Sequence, residues 1–251
     1  MAEIVIIPGT PDEAKAAAGA LAADLIQGVV SAKPDAVLGL ATGSTPLPIW
    51  QALATRGIDW SRVRGFALDE YVGLPATHPQ SYRSFLEREL MRPLGLDGSR
   101  LHVLDGMATD VEREAADFER AMAAAGGVDL QILGIGSNGH IGFNEPGSSP
   151  LSRTRMAELT PTTRADNARF FAGTGEEVPT HCLTQGLATI LEARRILLVA
   201  TGRQKAEAIA RTIDGPPDVA VPASLLRDHP DATLLIDSEA ASMLTTEGVH
   251  R

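Results

Sequence analysis

The segment from Gly134 to Pro146 holds the residues best suited to proton transfer. It places His140 five residues before Glu145, with Asn138 two residues before the histidine. A histidine within reach of a carboxylate is the usual arrangement for proton transfer near neutral pH, because the carboxylate orients the ring. The many glycines predict a tight loop that brings these side chains and Asn144 together. We therefore expect His140 to be functional rather than structural.

The same segment matches the G-x-G-x-x-G pattern of dinucleotide-binding proteins. That pattern binds a dinucleotide only where a helix opens directly at the third glycine. Here Gly142, Pro146 and Gly147 follow that glycine within eight residues and would break such a helix. We therefore expect no dinucleotide cofactor at this loop.

Two adjacent carboxylates, Asp69 and Glu70, follow the apolar segment Val63–Leu68. One of them could act as a general base while the other holds an arginine or a backbone turn. An isolated Asp–Glu pair more often caps a helix and forms a salt bridge. The pair alone leaves both interpretations open.

The turn from Thr42 to Pro46 has the features of a phosphate cradle. Gly43 lets the backbone approach a ligand, and the proline suits the first position of a helix. Backbone N–H groups at that helix start, with the hydroxyl groups of Thr42, Ser44 and Thr45, could bind a phosphate. The alternative is an ordinary turn in which Ser44 or Thr45 only caps the helix. The Walker A pattern of P-loop proteins is absent.

Several cations could complete such a site. Lys205 follows a predicted strand and could bind a phosphate, form a Schiff base or lie in solvent. Arginines can hold anions through two hydrogen bonds, although a solvated helix face is the more common explanation. Those downstream of the histidine loop are Arg153, Arg155, Arg164 and Arg169.

The cysteine and the remaining histidines predict no metal site. A single cysteine, Cys182, excludes an internal disulfide and a zinc site built from cysteines. It lies beside His181 in a predicted helix, where adjacent side chains point in different directions, so we expect a buried small side chain. The histidines that lack metal-ligand spacing are His78, His102, His181, His229 and His250.

Short apolar segments alternate with amphipathic ones, which predicts an α/β fold with an open, mainly parallel, Rossmann-like sheet flanked by helices. Ligands bind such sheets beyond the carboxyl ends of the strands, here the turns after Leu40, Leu68, Ile135 and Ala200. The predicted strands are Ile4–Ile7, Asp35–Leu40, Val63–Leu68, Leu130–Ile135, Arg195–Ala200 and Thr233–Ile236. The predicted helices are Pro11–Val30 with Asp12 as its cap, Pro46–Leu53, Ser81–Leu90, Thr109–Ala125, Leu183–Leu191 and Gln204–Thr212.

The composition of the 251-residue chain narrows the class of protein. It has 44% hydrophobic and 22% charged residues, which suits a globular protein with a sizeable core. The net charge of −10 disfavours binding to nucleic acid or anionic membranes. No apolar segment reaches the ~18–20 residues of a membrane span, and the N-terminus lacks the basic region of a signal peptide. We expect a soluble, cytoplasmic protein with one domain over residues 1–251.

Three segments, Leu38–Pro46, Leu68–Pro75 and Leu133–Pro146, together closely resemble the glucosamine-6-phosphate deaminase family. The pairing of L-D-E-Y-V-G-L with N-G-H-I-G-F-N-E-P is highly specific. The similarity continues through Ser148–Arg155, Ala168–Phe171 and Gly202–Lys205, and so spans nearly the whole chain.

The resemblance implies a cofactor-free conversion of glucosamine 6-phosphate to fructose 6-phosphate and ammonia. In that scheme His140 opens the pyranose ring, assisted by Glu145 and Asn138. Asp69 then removes the C2 proton and relays it to C1 through an enolamine. A carboxylate is a weak base toward carbon, so the site must be nearly dry, and a helical segment around residues 153–179 could serve as a lid. The implied sugar-phosphate site, which contains no metal, comprises Thr42, Gly43, Ser44, Thr45, Arg169 and Lys205.

Two departures from the family pattern predict differences in pH optimum and in regulation. Position 138 is Asn where some members carry Asp; an amide can orient His140 but supplies no negative charge, so we expect activity with a more neutral pH optimum. Members activated by N-acetylglucosamine 6-phosphate use a Ser and an Arg that match Ser148 and Arg155. They also use a Lys-Thr pair where this chain has Ala157–Glu158, and a C-terminal tyrosine that this chain lacks. We expect no activation by that ligand, because an anion replaces a cation at a phosphate-binding patch.

Three other functions remain in competition. The first is a 6-phosphogluconolactonase, an enzyme whose fold is similar but whose chemistry needs no C2 base. The second is a deaminase for galactosamine 6-phosphate, a sugar that differs from glucosamine 6-phosphate only in the orientation of one hydroxyl. A non-catalytic sugar-phosphate sensor would need a DNA-binding segment, which the charge disfavours. The family includes monomers and hexamers, so a homo-oligomer is compatible with the sequence.

Overall fold

The computed structural model describes residues 2–245, so His250 lies outside the described residues. It contains ten strands and eight α-helices in that range. The strands are β1 (Glu3–Ile7), β2 (Val37–Leu40), β3 (Arg64–Ala67), β4 (Asp69–Tyr71), β5 (Leu101–His102), β6 (Leu130–Leu133), β7 (Arg155–Glu158), β8 (His181–Thr184), β9 (Ile196–Ala200) and β10 (Ala232–Asp237). The helices are α1 (Pro11–Ala32), α2 (Leu47–Ala54), α3 (Tyr82–Leu86), α4 (Arg92–Leu94), α5 (Val111–Ala124), α6 (Pro161–Phe171), α7 (Leu187–Leu191) and α8 (Ala206–Ile213).

A seven-stranded parallel sheet in the order β1-β10-β9-β6-β2-β3-β5 forms the centre of the fold. From β2, successive strands β3 and β5 are added toward one edge of the sheet. From β6, successive strands β9 and β10 are added toward the other edge. The direction reverses between β2 and β6, so the loops that leave these strands diverge and open a crevice at their carboxyl ends.

The interior of this sheet explains its parallel arrangement. Strands β2, β6, β9 and β10 are buried along their whole length, which is typical of strands covered by helices on both faces. Helix α1 packs across α2 and begins where the Glu13 carboxylate accepts hydrogen bonds from the backbone N–H and hydroxyl of Thr10. Thr10, rather than Asp12, therefore caps α1. No helix in residues 2–245 is long and apolar enough to cross a membrane.

A second, antiparallel sheet stands beside the first, in the order β4-β8-β7. Strand β4 follows β3 after a single residue, Leu68, so the chain passes directly from one sheet to the other. Tyr71, Phe143 and Phe171 form a separate apolar cluster against this sheet. The second sheet thus meets the carboxyl edge of the first.

The predicted parallel sheet with flanking helices is confirmed, but two predicted helices are wrong in part. The segment Leu183–Leu191 begins with β8 and becomes helical only at Leu187, because β8 pairs with strands on both sides. Helix Ser81–Leu90 ends its α-helical part at Leu86 and continues as a π-helical turn, Glu87–Met91. The sequence did not predict β4, β5 or β7, and it predicted a helical segment around residues 153–179 without the bounds of α6.

Candidate active site

Four loops converge at the carboxyl edge of the parallel sheet. The adjacent strands β9, β6, β2 and β3 end there. The loop after β2 carries Thr42–Thr45, the residues after β3 begin with Leu68 and Asp69, the loop after β6 carries His140, and Lys205 follows β9. The turns selected from the sequence are therefore neighbours in space.

The amide of Asn138 links His140 to Glu145. Its Oδ1 accepts hydrogen bonds from the backbone N–H of His140 at 3.1 Å and from the ring Nδ1 at 2.8 Å. Its Nδ2 donates to Glu145 Oε2 at 2.8 Å, and that oxygen lies 3.7 Å from His140 Nδ1. With Nδ1 held as a donor, the Nε2 atom of the neutral ring is the one able to accept a proton.

Two glycines allow this loop to fold around the histidine ring. A Cβ atom on Gly136 would lie 2.2 Å from the His140 ring, so the ring packs directly on the backbone. Gly139 has a φ of +89°, which favours glycine. No helix begins between β6 and β7, so the loop lacks the helix start at which a dinucleotide pyrophosphate would bind.

Glu145 is held as a carboxylate. Burial by itself would raise its pKa, but contacts with His140, Thr163 and Asn138 and the charge of His140 lower the pKa of Glu145 to about 2. The hydroxyl of Thr160 also donates to Glu145 Oε1 at 3.1 Å. A negative charge therefore stands opposite the Nδ1 side of the histidine.

Asp69 lies in a dry environment and is only 6% exposed. Burial, and then the nearby charge of Glu70, raise the pKa of Asp69 well above its usual range. A Cβ atom on Gly142 would lie 3.7 Å from Asp69 Oδ2, so this carboxylate faces the histidine loop. Among residues 2–245, no group donates a hydrogen bond to the Asp69 carboxylate. A desolvated carboxylate with a raised pKa is a stronger base than one in water.

Glu70 has a different task. It is 2% exposed, and its carboxylate accepts backbone N–H groups from Tyr71 at 2.9 Å, Tyr82 at 2.9 Å and Arg83 at 3.0 Å. Burial raises the pKa of Glu70, while these three hydrogen bonds oppose the rise. Of the two adjacent carboxylates, Glu70 thus holds a backbone turn, while the Asp69 carboxylate accepts no hydrogen bond from residues 2–245.

Helix α6 crosses the site from the histidine loop to the Thr42–Thr45 loop. It begins beside Glu145, where Thr160 caps it by accepting the N–H of Thr163 at 3.2 Å. Its Asp166 accepts a hydrogen bond from the Ser137 hydroxyl at 2.6 Å. Near its end, Arg169 Nη2 donates to Ser44 Oγ at 3.4 Å.

The side chains of the Thr42–Thr45 loop do not cap the helix that follows. No side chain caps α2, whose N-cap residue is Pro46, so Ser44 and Thr45 do not perform that function. The loop borders a small cavity of about 30 Å³ whose aromatic walls include Tyr71, Tyr82 and Phe171. Gly43 has a φ of +85° and has open space around its Cα.

Arg169 contacts this loop, and Lys205 lies close enough to Arg169 for the two charges to interact. Burial lowers the pKa of Lys205; the Asp166 carboxylate raises it and the charge of Arg169 lowers it. These mutual influences locate Lys205 close to α6. A partly desolvated lysine beside an arginine favours an anion that would offset the two charges.

Two of the other predicted cations, Arg153 and Arg164, are engaged in contacts outside the histidine and Thr42–Thr45 loops. Arg153 forms ion pairs with Glu119 and Glu192, and Arg164 donates to Glu177 and to a backbone carbonyl. Cys182 is fully buried, as expected, but lies in β8 rather than in a helix. Within the described part of the chain, no three His, Cys, Asp or Glu side chains come together as metal ligands.

Sequence reasoning missed the threonines that complete the site. Thr160 binds Glu145, and Thr184 in β8 is the register partner of Asp69 and accepts the N–H of Phe143 at 3.1 Å. Thr160 precedes Pro161, a pattern typical of a helix start that could have revealed α6. Thr184 has no local signal, because its role depends on pairing across the second sheet.

Comparison with known proteins supports one family. The model of the family of glucosamine-6-phosphate isomerases and 6-phosphogluconolactonases matches residues 9–235. A protein of Pseudarthrobacter chlorophenolicus named glucosamine-6-phosphate deaminase is 51% identical over 252 residues, 99% of this chain and 95% of the relative. A Streptomyces avermitilis protein of the same name is 54% identical over 246 residues, 96% of this chain and 92% of the relative.

Solved structures agree with these relatives. A monomeric glucosamine-6-phosphate deaminase superposes with a TM-score of 0.91 at 38% identity, covering 96% of this chain and 99% of that one. The 6-phosphogluconolactonase of Trypanosoma brucei has a TM-score of 0.76 at 20% identity, covering 98% of this chain and 99% of that one, and shares the fold. The chain therefore belongs to the enzyme family of glucosamine-6-phosphate isomerases and 6-phosphogluconolactonases.

Proposed function

We propose that the chain converts glucosamine 6-phosphate and water to fructose 6-phosphate and ammonia. One observation carries this proposal: a buried Asp69 carboxylate with a raised pKa faces a loop in which Asn138 and Glu145 orient His140. Lactone hydrolysis needs a histidine that activates water but has no use for a second, desolvated base. The names of the relatives support the same activity.

The first step in this proposal is opening of the sugar ring. Asn138 fixes Nδ1 of His140, so Nε2 can take the proton of the O1 hydroxyl and deliver it to the ring oxygen as the C1–O5 bond breaks. The positively charged ring formed in between lies beside the Glu145 carboxylate, which Thr160 and Asn138 keep in place.

The second step moves a proton between carbon atoms. Asp69 removes the C2 proton of the open chain while the aldehyde oxygen O1 takes up a proton, which gives an enolamine. Asp69 then returns the C2 proton to C1, and the amine nitrogen releases one proton as the C2 imine forms. The resulting imine at C2 adds water and releases ammonia, which leaves the C2 ketone. Because Asp69 is almost dry and its pKa is raised, the carboxylate is a stronger base than in water.

The substrate phosphate would lie against Thr42, Gly43, Ser44 and Thr45, with Arg169 and Lys205 as its cations. We propose α6, within the segment 153–179, as a lid, because its contacts with Glu145, Ser137 and Ser44 span both ends of the bound sugar. Replacing Ser137 and Asp166 by cysteines should allow a reversible disulfide. We expect turnover to fall on oxidation and to recover on reduction; unchanged turnover with the bond formed would refute the lid.

The test is ammonia release from glucosamine 6-phosphate with chelator present, beside the galactosamine epimer and 6-phosphogluconolactone. We expect release that survives the chelator and disappears in Asp69→Asn. Asp129→Asn is the matched control, since Asp129 is equally buried but binds Val37, Lys33 and Arg194 at the opposite edge of the sheet. No ammonia from either amino sugar would refute the proposal, and lactone hydrolysis would replace it.

We also propose that N-acetylglucosamine 6-phosphate does not activate the enzyme. Arg155 already donates to Asn144 and Ser148, and the exposed Glu158 adds negative charge to the same strand. A phosphate group at this place would find no free cation among residues 2–245 to bind and would be repelled by the Glu158 carboxylate. Saturation curves with and without that ligand should coincide; a sigmoidal curve that becomes hyperbolic on its addition would contradict this.

A further inference from the structure

Asn144 is the fully buried amide of the histidine loop, and the proposed chemistry does not use it. Its Nδ2 donates two hydrogen bonds, to the carbonyl of Ile141 at 3.0 Å and to the carbonyl of Gln185 at 2.8 Å. Its Oδ1 accepts from Arg155 Nη1 at 2.9 Å. Both N–H donors of this amide therefore bind backbone carbonyls, one within the histidine loop and one from a segment that is distant in sequence.

One of those carbonyls leads directly to Asp69. Gln185 follows β8, and its backbone N–H donates to the carbonyl of Leu68 at 2.8 Å. Its side-chain Nε2 donates to the carbonyl of Ala67 at 3.0 Å. Gln185 is therefore bonded to the two residues that precede Asp69. Asn144 joins the histidine loop to this anchor.

A second tie runs parallel to the first. The Thr184 hydroxyl accepts the backbone N–H of Phe143 at 3.1 Å, and Thr184 is the register partner of Asp69 between β8 and β4. Residues 143 and 144 of the histidine loop are thus fastened to residues 184 and 185, which are themselves fastened to the strand of the base. Neither Asn144 nor Thr184 has any exposed surface with which to contact a substrate.

We propose that Asn144 is a positioning residue that fixes His140 and Glu145 relative to Asp69, with Thr184 as the second tie. The proposal rests on the function proposed above, in which one bound sugar meets His140 first and Asp69 afterwards. Two groups that act in turn on the same molecule must keep their separation to a fraction of an ångström, and a misplacement of about 1 Å can cost about a hundredfold in rate.

The chemistry of the amide explains why Asn suits this position. Both N–H groups sit on one nitrogen, so a single atom can hold two carbonyls while the oxygen accepts an arginine. An aspartate of the same shape would still bind Arg155 but would turn an oxygen toward both carbonyls. Asn144→Asp therefore cuts the tie and keeps the volume.

The test compares Asn144→Asp and Thr184→Val with wild type and with His229→Ala. His229 is a matched control, because it is buried, bridges two backbone segments through Ala193 and Asp231, and lies at the amino ends of the strands. We would measure kcat and KM for glucosamine 6-phosphate and the melting temperature. We would also measure the Kd of 2-amino-2-deoxyglucitol 6-phosphate, an open-chain analogue that binds without ring opening.

We expect kcat to fall about 10- to 100-fold in Asn144→Asp, while KM and the Kd of the analogue change by less than about threefold. Thr184→Val should show the same split with a smaller loss, and it decides the question if Asn144→Asp does not fold. An unchanged kcat, a Kd that rises in step with the loss of kcat, or an equal loss in His229→Ala would overturn the proposal. If wild type itself releases no ammonia, the proposed function fails first and this inference falls with it.

Discussion

The negative charge of Glu145 should make the free energy of unfolding depend on pH, and a substitution that removes this charge should remove that dependence. We consider Glu145→Gln, which keeps the shape of the side chain and removes its negative charge. The carboxylate is favoured by Asn138, His140 and Thr163, which together overcome its burial and lower its pKa to about 2. The corresponding group in the unfolded chain has an ordinary pKa of 4.5.

The size of the effect follows from these two values. A pKa lowered by about 2.5 corresponds to ~3.4 kcal/mol at 1.36 kcal/mol for each tenfold change in acidity. Solvent at the open edge of the site screens part of this, so we expect about 2 kcal/mol. Because the pKa is lower in the folded state, this stability is present above pH 4.5 and is lost as the pH falls toward 2.

The assay is denaturant unfolding of wild type and Glu145→Gln at a series of pH values from about 6 down to about 2.5. The difference in free energy of unfolding between the two proteins should shrink by about 2 kcal/mol across that range. Glu158→Gln, which removes an exposed carboxylate of β7, serves as the control for the loss of one negative charge and should change the free energy of unfolding by less than about 0.5 kcal/mol. A constant difference for Glu145→Gln would refute the reasoning.

Three further predictions follow from the same geometry. Asp69→Asn should raise the free energy of unfolding at pH 7 by about 1 kcal/mol while it abolishes turnover, because it removes a buried charge. A lower melting temperature of the variant would contradict the argument that burial makes the Asp69 carboxylate unfavourable for stability. Lys205→Gln should raise KM about 10-fold or more with a smaller effect on kcat, and the exposed neighbour Arg203→Gln should change neither; equal effects would remove Lys205 from the phosphate site. Burial raises the pKa of the Cys182 thiol, so a thiol reagent should label it only after unfolding, and rapid labelling of the native protein would contradict the structure.

The sequence predicts the parallel sheet well because its signals are local. Segments such as Leu130–Leu133 and Ile196–Ala200 are apolar throughout and are buried on both faces. The turns that follow them then fall at the carboxyl edge by the rules of parallel sheets. Strand ends and glycine-rich turns therefore predict the positions of the Thr42–Thr45 turn and the histidine loop without any tertiary contact.

The second sheet could not be predicted, since its strands have no local pattern of their own. Strand β7 consists of Arg, Met, Ala and Glu, residues that favour helices more than strands. The sequence of β8 directly precedes a helical segment and has the composition expected for the first turn of that helix. Both become strands because β8 pairs with β7 on one side and with β4 on the other, contacts that span up to about 115 residues of sequence.

The division of labour between Asp69 and Glu70 depends on the same long-range pairing. The local sequence pattern offers two adjacent carboxylates and no means of choosing between them, and only the family resemblance points to Asp69. The choice is made by Tyr82 and Arg83, whose N–H groups bind Glu70, and by Thr184, whose strand buries Asp69. Adjacent residues of a strand point to opposite faces, so satisfying one carboxylate leaves the other turned toward the histidine loop. The second sheet therefore buries the carboxylate that we propose as the base, and its hydrogen bonds to residues 143 and 144 join it to the loop that carries His140.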